Sequence, residues 1–162
     1  MRSLFLIRHS KAEDEAQSDF DRKLTSEGKK LAKTISENIK TTPGTYSKLI
    51  SSPALRAIAT ANIFSETYGI RLELIVKNDF LYKYSTVDRF FLFLDSFENN
   101  SELWIFGHNP MLSEIVSYLT DDKIMSMPKC AVAAFQTEAN NWLEATPANT
   151  KLLFFENPKN NK

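Results

Sequence analysis

One cysteine, four glycines and two histidines are all that 162 residues hold of these types, and each scarcity removes a class of chemistry. A lone Cys130 cannot close an internal disulfide and repeats no zinc-site spacing, so a reducing cytoplasm is the expected setting. Nor does it open a cysteine-phosphatase loop, because the position six residues on is Gln136 rather than arginine. Four widely scattered glycines exclude a P-loop. Two histidines without an evident carboxylate partner make a poor zinc site, so no metal and no cofactor are expected. Charge of one sign is also lacking. The 20 Lys and Arg balance the 20 Asp and Glu, which gives no general pull toward nucleic acid or an anionic membrane, and neither is expected as a partner. The densest apolar stretch, Phe90 to Leu94, falls far short of the roughly 20 residues needed to cross a bilayer. The amino-terminal apolar run is too short for a signal-peptide core and is broken by Arg8, so export is not expected.

What is present suffices for one domain, since domains commonly run to roughly 100–200 residues. Residues 1–156 are expected to form it, with the polar stretch 157–162 as a frayed tail. Leu4 to Ile7 has the length and residue types of a buried strand. Tyr46 to Ile50, Leu72 to Val76, Glu102 to Phe106, Ala131 to Thr137 and Lys151 to Phe155 are further strand candidates. Helical spacing lies between them. Leu31, Ile35 and Ile39 repeat behind a Thr25 N-cap through about residue 40, and Thr41-Thr42-Pro43-Gly44 ends that helix. A second helix spans about Ala54 to Tyr68 with Gly69 as terminator. Val87 to about Asn99 carries Phe90, Phe91 and Leu94 on one face, and Leu112 to Leu119 has core spacing. The alternation predicts a three-layer α/β/α fold with a mostly parallel central sheet, the closing segments adding an antiparallel strand.

Three of the apolar runs end in polar clusters: Leu6-Ile7-Arg8-His9-Ser10, Ser51-Ser52-Pro53-Ala54-Leu55-Arg56 and Gly107-His108-Asn109-Pro110. In an open α/β sheet, ligands bind beyond the carboxyl ends of the strands, so two histidines and two arginines are expected to converge on one crevice. That set suits a tetrahedral dianion, because each guanidinium offers a fixed fork of donors matched to phosphate oxygens. A neutral histidine can attack phosphorus through one ring nitrogen when the other is protonated and held by a backbone acceptor. The positive charge of Arg8 and Arg56 is expected to disfavour the imidazolium and keep the nucleophile neutral. Asp21 and Arg22 are expected to pair and hold the loop at the mouth. Asp19-Phe20-Asp21 follows Ala16-Gln17-Ser18 rather than a hydrophobic strand, which counts against a nucleophilic aspartate pair. Thr25 and Gly28 have a sufficient explanation in capping and close packing.

Arg8-His9 after the first strand, Ser52-Pro53-x-x-Arg56, and Gly107-His108 after a late strand resemble the histidine phosphatase superfamily, also called phosphoglycerate mutase-like. Leu24-Thr25-x-x-Gly28, the preceding Asp21-Arg22 and Gly107-His108-Asn109-Pro110 resemble its short SixA-type phosphohistidine phosphatases. The resemblance runs from about residue 3 to residue 155. It implies that His9 takes the phosphoryl group and water then releases it, while Arg8, Arg56 and His108 bind the phosphoryl oxygens without a metal. Ser10 stands where the family usually has glycine; with Lys11 and Asn109 it is a candidate substrate contact. Many members of the superfamily supply a glutamate as general acid. Here Asp79 is the candidate, and a phosphohistidine substrate would need it less, because its leaving imidazole is far less basic than an alkoxide.

The expected function is a cytoplasmic phosphatase acting on phosphohistidine in a partner protein. A small-molecule phosphomonoesterase is the alternative, followed by a non-catalytic module that binds phosphate or a phosphoprotein. A mutase is disfavoured because so short a chain has few insertions to enclose its site.

Overall fold

Period-two alternation in the apolar runs decides the layering. In the computed structural model, which describes residues 1–39, 41, 43–44 and 47–160, strand β1 (Arg2–Arg8) sends Leu4 and Leu6 into one core and Phe5 and Ile7 into the other. Strand β4 (Glu102–Gly107) divides the same way, Leu103 and Ile105 on one face and Trp104 and Phe106 on the other. A strand that is apolar on both faces must be covered on both. Helices α1 (Ser26–Asn38) and α2 (Leu55–Thr67) cover the first side with Ala32, Ile35, Ala61 and Phe64. Helices α3 (Val87–Asp95) and α4 (Met111–Leu119) cover the second with Phe90, Leu94, Leu112 and Ile115. Phe5 and Trp104 are neighbours in register, and their rings stack with centroids 4.0 Å apart.

The remaining strands are β2 (Ser47–Ser51), β3 (Val76–Lys77), β5 (Val132–Thr137) and β6 (Thr150–Glu156), and the sheet order is β3-β2-β4-β1-β5-β6. The first four run parallel; β5 pairs antiparallel with β1 and β6 pairs antiparallel with β5, so β5 alone opposes the direction of the other five. The three-layer, mostly parallel architecture is as expected, and so is a closing antiparallel strand, β5. The third strand differs from expectation. Leu72–Leu74 forms a 3-10 turn, and only Val76–Lys77 pairs, because this segment sits at the sheet edge beside β2 alone and leaves Leu72 and Leu74 exposed. Likewise α3 ends at Asp95, and the chain continues in tight turns, Phe97 and Glu98 donating to carbonyls three residues back. The expected strand start at Tyr46, the helix end near Lys40 and Thr42, and the last two tail residues lie outside the described residues.

Local signals that the sequence carries work as read. Thr25 accepts a hydrogen bond from Gly28 N at 2.9 Å and caps α1. Gly69 has φ +67°, and Gly69 N to Glu66 O together with Ile70 N to Ser65 O closes α2 in a Schellman motif.

Register then positions the site. Arg8 lies opposite Gly107, and His9 N donates to Gly107 O at 3.0 Å; Ser51 lies opposite Phe106, and Ser52 N donates to Phe106 O at 2.9 Å. The carboxyl ends of β1, β4 and β2 therefore finish level at one edge, carrying His9, His108 and Ser52. Among the described residues no helix is long and apolar enough to cross a membrane.

Candidate active site

His9 is 6 % exposed, and its backbone is held from two sides, by Gly107 O and by Cys130 N, which donates to His9 O at 3.1 Å. Its Nδ1 lies 2.7 Å from Ser10 O. A carbonyl oxygen only accepts, so Nδ1 carries the ring proton and Nε2 presents a lone pair. Arg56 Nε donates toward that lone pair at 3.3 Å. Burial, opposed by the Ser10 carbonyl and reinforced by His108, Arg56 and Arg8, lowers the His9 pKa to about 3. The neutrality expected from the sequence is present, but loss of hydration is its main cause and the arginines are minor contributors.

Arg56 sits on the first turn of α2 and is 5 % exposed. Its Nη2 pairs with Asp19 Oδ2 at 2.8 Å, and Nη1 donates to Asp19 O. This salt bridge fixes the guanidinium plane with Nε toward His9. Tyr82 Oη donates to the same carboxylate at 3.2 Å, and Arg22 Nη1 to its other oxygen at 3.2 Å. Burial pushes the Asp19 carboxyl up, but the hydrogen bonds from Arg56 and Arg22 outweigh it and hold it below the ordinary carboxylate value. The Asp21–Arg22 pair expected from the sequence is not the one that forms. Instead Asp21 accepts from Ser18, and Arg22 reaches Asp19, Asp14 and the Glu13 carbonyl. Three residues of spacing explain it: the turn around residues 18–22 places Asp19 and Arg22 on one side, with Arg22 N donating to Asp19 O.

His108 lies 5.2 Å from His9, ring centroid to ring centroid, with its Nε2 2.7 Å from Ser52 Oγ and its buried Nδ1 without a partner among the described residues. Burial and Arg56 lower its pKa to about 4, with Asp19 opposing. Arg8 Nη1 donates to Met127 O at 2.8 Å, and Asn109 Nδ2 donates to the same carbonyl at 3.0 Å. Arg8 Nε and Asn109 Oδ1 are buried and have no partner among the described residues. Burial and the nearby Arg56 depress the Arg8 guanidinium. Two guanidiniums and two neutral imidazoles thus face one another with, among the described residues, a single carboxylate, Asp19, already shared between Arg56, Arg22 and Tyr82. Such a cluster gains from an arriving dianion, which neutralises the arginines and raises both histidine pKa values.

Arg8, His9, Arg56 and His108 are therefore brought together, and the other candidates divide. Asn109 is adjacent, through the Met127 carbonyl. Ser10 is fully buried with Oγ donating to Gly28 O at 2.7 Å and its N–H donating to Thr60 Oγ1 at 3.0 Å, so it ties the nucleophile loop to α1 and α2. Lys11 ion-pairs with Glu27 at the surface. Asp79 opens a 3-10 turn after β3 with its side chain exposed. Three strand steps separate β3 from β1, about 14 Å at the usual spacing. The carboxylate at the centre is Asp19, which its loop context disfavours as a nucleophile; Ser52, already part of the Ser52-Pro53-x-x-Arg56 motif, and Tyr82 join the site beyond the candidate list. Tyr82 also packs edge-on against His108, 5.8 Å between centroids. The spacing of Asp79 to Tyr82 along one turn was the available signal for the tyrosine; nothing local marked Asp19.

A family model described as the histidine phosphatase superfamily (branch 1) matches residues 4–80, which include Arg8, His9 and Arg56. Comparison with curated proteins gives no match. Among solved structures, the protein histidine phosphatase SixA complexed with tungstate is 20% identical, with 99% of each chain covered and a TM-score of 0.78. A chain bearing the SixA name from Agrobacterium tumefaciens is 20% identical over 96% of this chain and 97% of that one, TM-score 0.75. Mycobacterial glucosyl-3-phosphoglycerate phosphatase is 13% identical over 94% and 97%, TM-score 0.68. At these identities the structural likeness is one of fold, phosphoglycerate mutase-like along the whole chain. The family match covers the first two site clusters, and the fold shared with the SixA structure extends through the His108 cluster.

Proposed function

We propose that the protein is a metal-independent phosphatase that works through a phosphohistidine intermediate on His9 and takes phosphohistidine in a partner protein as its substrate. The observation that carries this reading is the tautomer of His9. With Nδ1–H held by Ser10 O at 2.7 Å, the lone pair of Nε2 is directed into the cationic cluster, where a phosphorus atom bound by Arg8, Arg56 and His108 would meet it. Nε2 attacks phosphorus, the bond to the leaving group breaks, and the three neighbours hold the equatorial oxygens. Water then attacks phospho-His9, and His9 leaves as the neutral imidazole it began as. The likeness to a SixA structure that holds tungstate, a tetrahedral oxyanion, supports an oxyanion at this place.

The choice of a phosphohistidine substrate rests on the acid. Asp79 is exposed, and the Asp19 carboxyl is held below its ordinary pKa by Arg56 and Arg22 despite some burial, which suits an ionised positioning group better than a proton donor. A leaving imidazole tolerates that arrangement better than an alkoxide does. The test is phosphate release, without added metal, from a phosphohistidine-bearing protein and from an aryl phosphate, for wild type and His9→Ala. Release mainly from the protein, abolished in His9→Ala, is the expected result. Release mainly from the aryl phosphate would move the assignment to a phosphomonoesterase, and no release from either would leave a binding module.

A further inference from the structure

A groove of about 640 Å3 opens beside Arg8, between α1 and the segment leading into β5. Its walls are largely apolar, from Leu31, Ile35, Pro128 and Pro158, and Lys11, Lys129 and Lys159 stand around them. Among the described residues one carboxylate lines it, Glu27, and it is ion-paired with Lys11. Lys129 and Lys159 are exposed and make no ion pair among the described residues. In a chain of zero net charge, four cations against one carboxylate is a local concentration of positive charge. Arg8 joins this groove to the phosphate-facing cluster: it precedes His9, lines the groove, and bonds the carbonyl of Met127 two residues before Lys129.

The lining discriminates between occupants. A sugar phosphate presents a ring of hydroxyls and needs matching polar partners all round it, whereas this groove sets the two hydroxyls of Thr34 and Ser126 among proline, leucine and isoleucine, with lysines at the edge. That pattern is complementary to a stretch of polypeptide whose apolar side chains seat on Leu31 and Pro128 while its carboxylates meet Lys129 and Lys159. Residues one helical turn from a phosphorylated histidine lie about 5–6 Å from it, near enough to enter a groove that shares Arg8 with the site.

We propose that this groove docks an acidic, partly apolar segment flanking the phosphohistidine of the protein substrate, so that Lys129 and Lys159 set substrate preference. The proposal rests on the phosphohistidine-protein reading above. Its test uses two phosphohistidine peptides that differ only in glutamate or glutamine at three and four residues on either side, with an aryl phosphate as a third substrate. Wild type is expected to favour the acidic peptide about tenfold in kcat/KM at low salt, a preference that shrinks as salt is raised. The Lys129→Glu, Lys159→Glu double variant should lose that preference and keep its aryl phosphate kcat/KM within about twofold, as a rim charge alters docking rather than chemistry. A control carrying the same charge change elsewhere, Lys123→Glu with Lys151→Glu, should behave as wild type.

Equal wild-type rates on the two peptides would overturn the docking proposal and leave the phosphohistidine reading standing. So would a parallel loss on aryl phosphate, which would make the lysines part of the phosphate site. Turnover of aryl phosphate with neither peptide touched would remove the phosphohistidine reading and the docking proposal with it.

Discussion

Gly28→Ala tests how the fold holds the nucleophile. Gly28 lies in the first turn of α1, where an added Cβ would sit 2.0 Å from Lys11 O and 2.9 Å from Lys11 C. An ordinary carbon–oxygen approach is about 3.3 Å, so the Lys11 peptide must move by about 1.3 Å. That carbonyl accepts from Thr25 N at 3.0 Å, and Gly28 O itself anchors Ser10 Oγ. Overpacking against backbone costs about 1–3 kcal/mol and a strained or lost hydrogen bond about 1 kcal/mol. The helix-propensity gain of alanine over glycine returns about 0.5–1 kcal/mol. The net loss of about 1–3 kcal/mol corresponds to a fall in Tm of about 2–12 °C in a chain of this size. Because the displaced peptide continues into Ser10, whose carbonyl holds His9 Nδ1–H, kcat is expected to fall by roughly 100-fold, the usual consequence of a misplacement near 1 Å. Calorimetry and steady-state kinetics on an aryl phosphate measure both effects. Gly107→Ala is the control, since the atoms nearest a Cβ there belong to the Leu112 side chain at 3.6–3.8 Å, ordinary van der Waals contact. A Gly28→Ala protein with wild-type Tm and kcat would refute the reasoning.

Three further perturbations separate the parts of the site. Folded-state pKa values of about 3 for His9 and 4 for His108 lie below the unfolded value of about 6.5. The unfolded chain therefore binds more protons in that window, and stability should fall as pH drops from about 6.5, by about 1–2 kcal/mol per histidine at pH 5. Urea unfolding at pH 7 and pH 5 should show this, with a smaller difference in His108→Asn. Asp19→Asn keeps the backbone contact to Arg56 but loses the ion pair, and should lower kcat/KM roughly tenfold through misorientation of the guanidinium. Its Tm should change little, because the Asp19 side chain is 53% exposed. Arg8→Ala should cost about 10²–10³ in kcat and weaken inhibition by inorganic phosphate, as expected for a group that stabilises transition-state charge.

The fold was legible because its central strands are apolar on both faces and its helices have regular core spacing. Leu4 to Ile7 and Leu103 to Phe106 have the length and composition of buried strands in a covered sheet. Their carboxyl ends then bring Arg8, His9 and His108 together by register alone, and Ser52-Pro53 leads Arg56 in on the first turn of α2. The edge segment Leu72 to Val76 was not legible: its residue types suit a strand, but strand formation depends on a neighbour, and β2 supplies one for two residues only. Asp19 was not legible either. It lies in an aperiodic loop, and its partners Arg56 and Tyr82 stand 37 and 63 residues away in sequence. The hydroxyl of Ser10 is accounted for only once α1 is packed against the loop, where it bonds Gly28 O from 18 residues away.

The central claim is that the phosphoryl group passes through Nε2 of His9. Rapid mixing with a phosphohistidine protein, alkaline quenching to preserve an acid-labile bond, and mass spectrometry of the amino-terminal peptide test it directly. A transient phosphate on His9 that forms and decays at the rate of turnover and is absent in His9→Ala is the expected result. Turnover with no phosphate on His9, or with phosphate trapped on another residue, would contradict it.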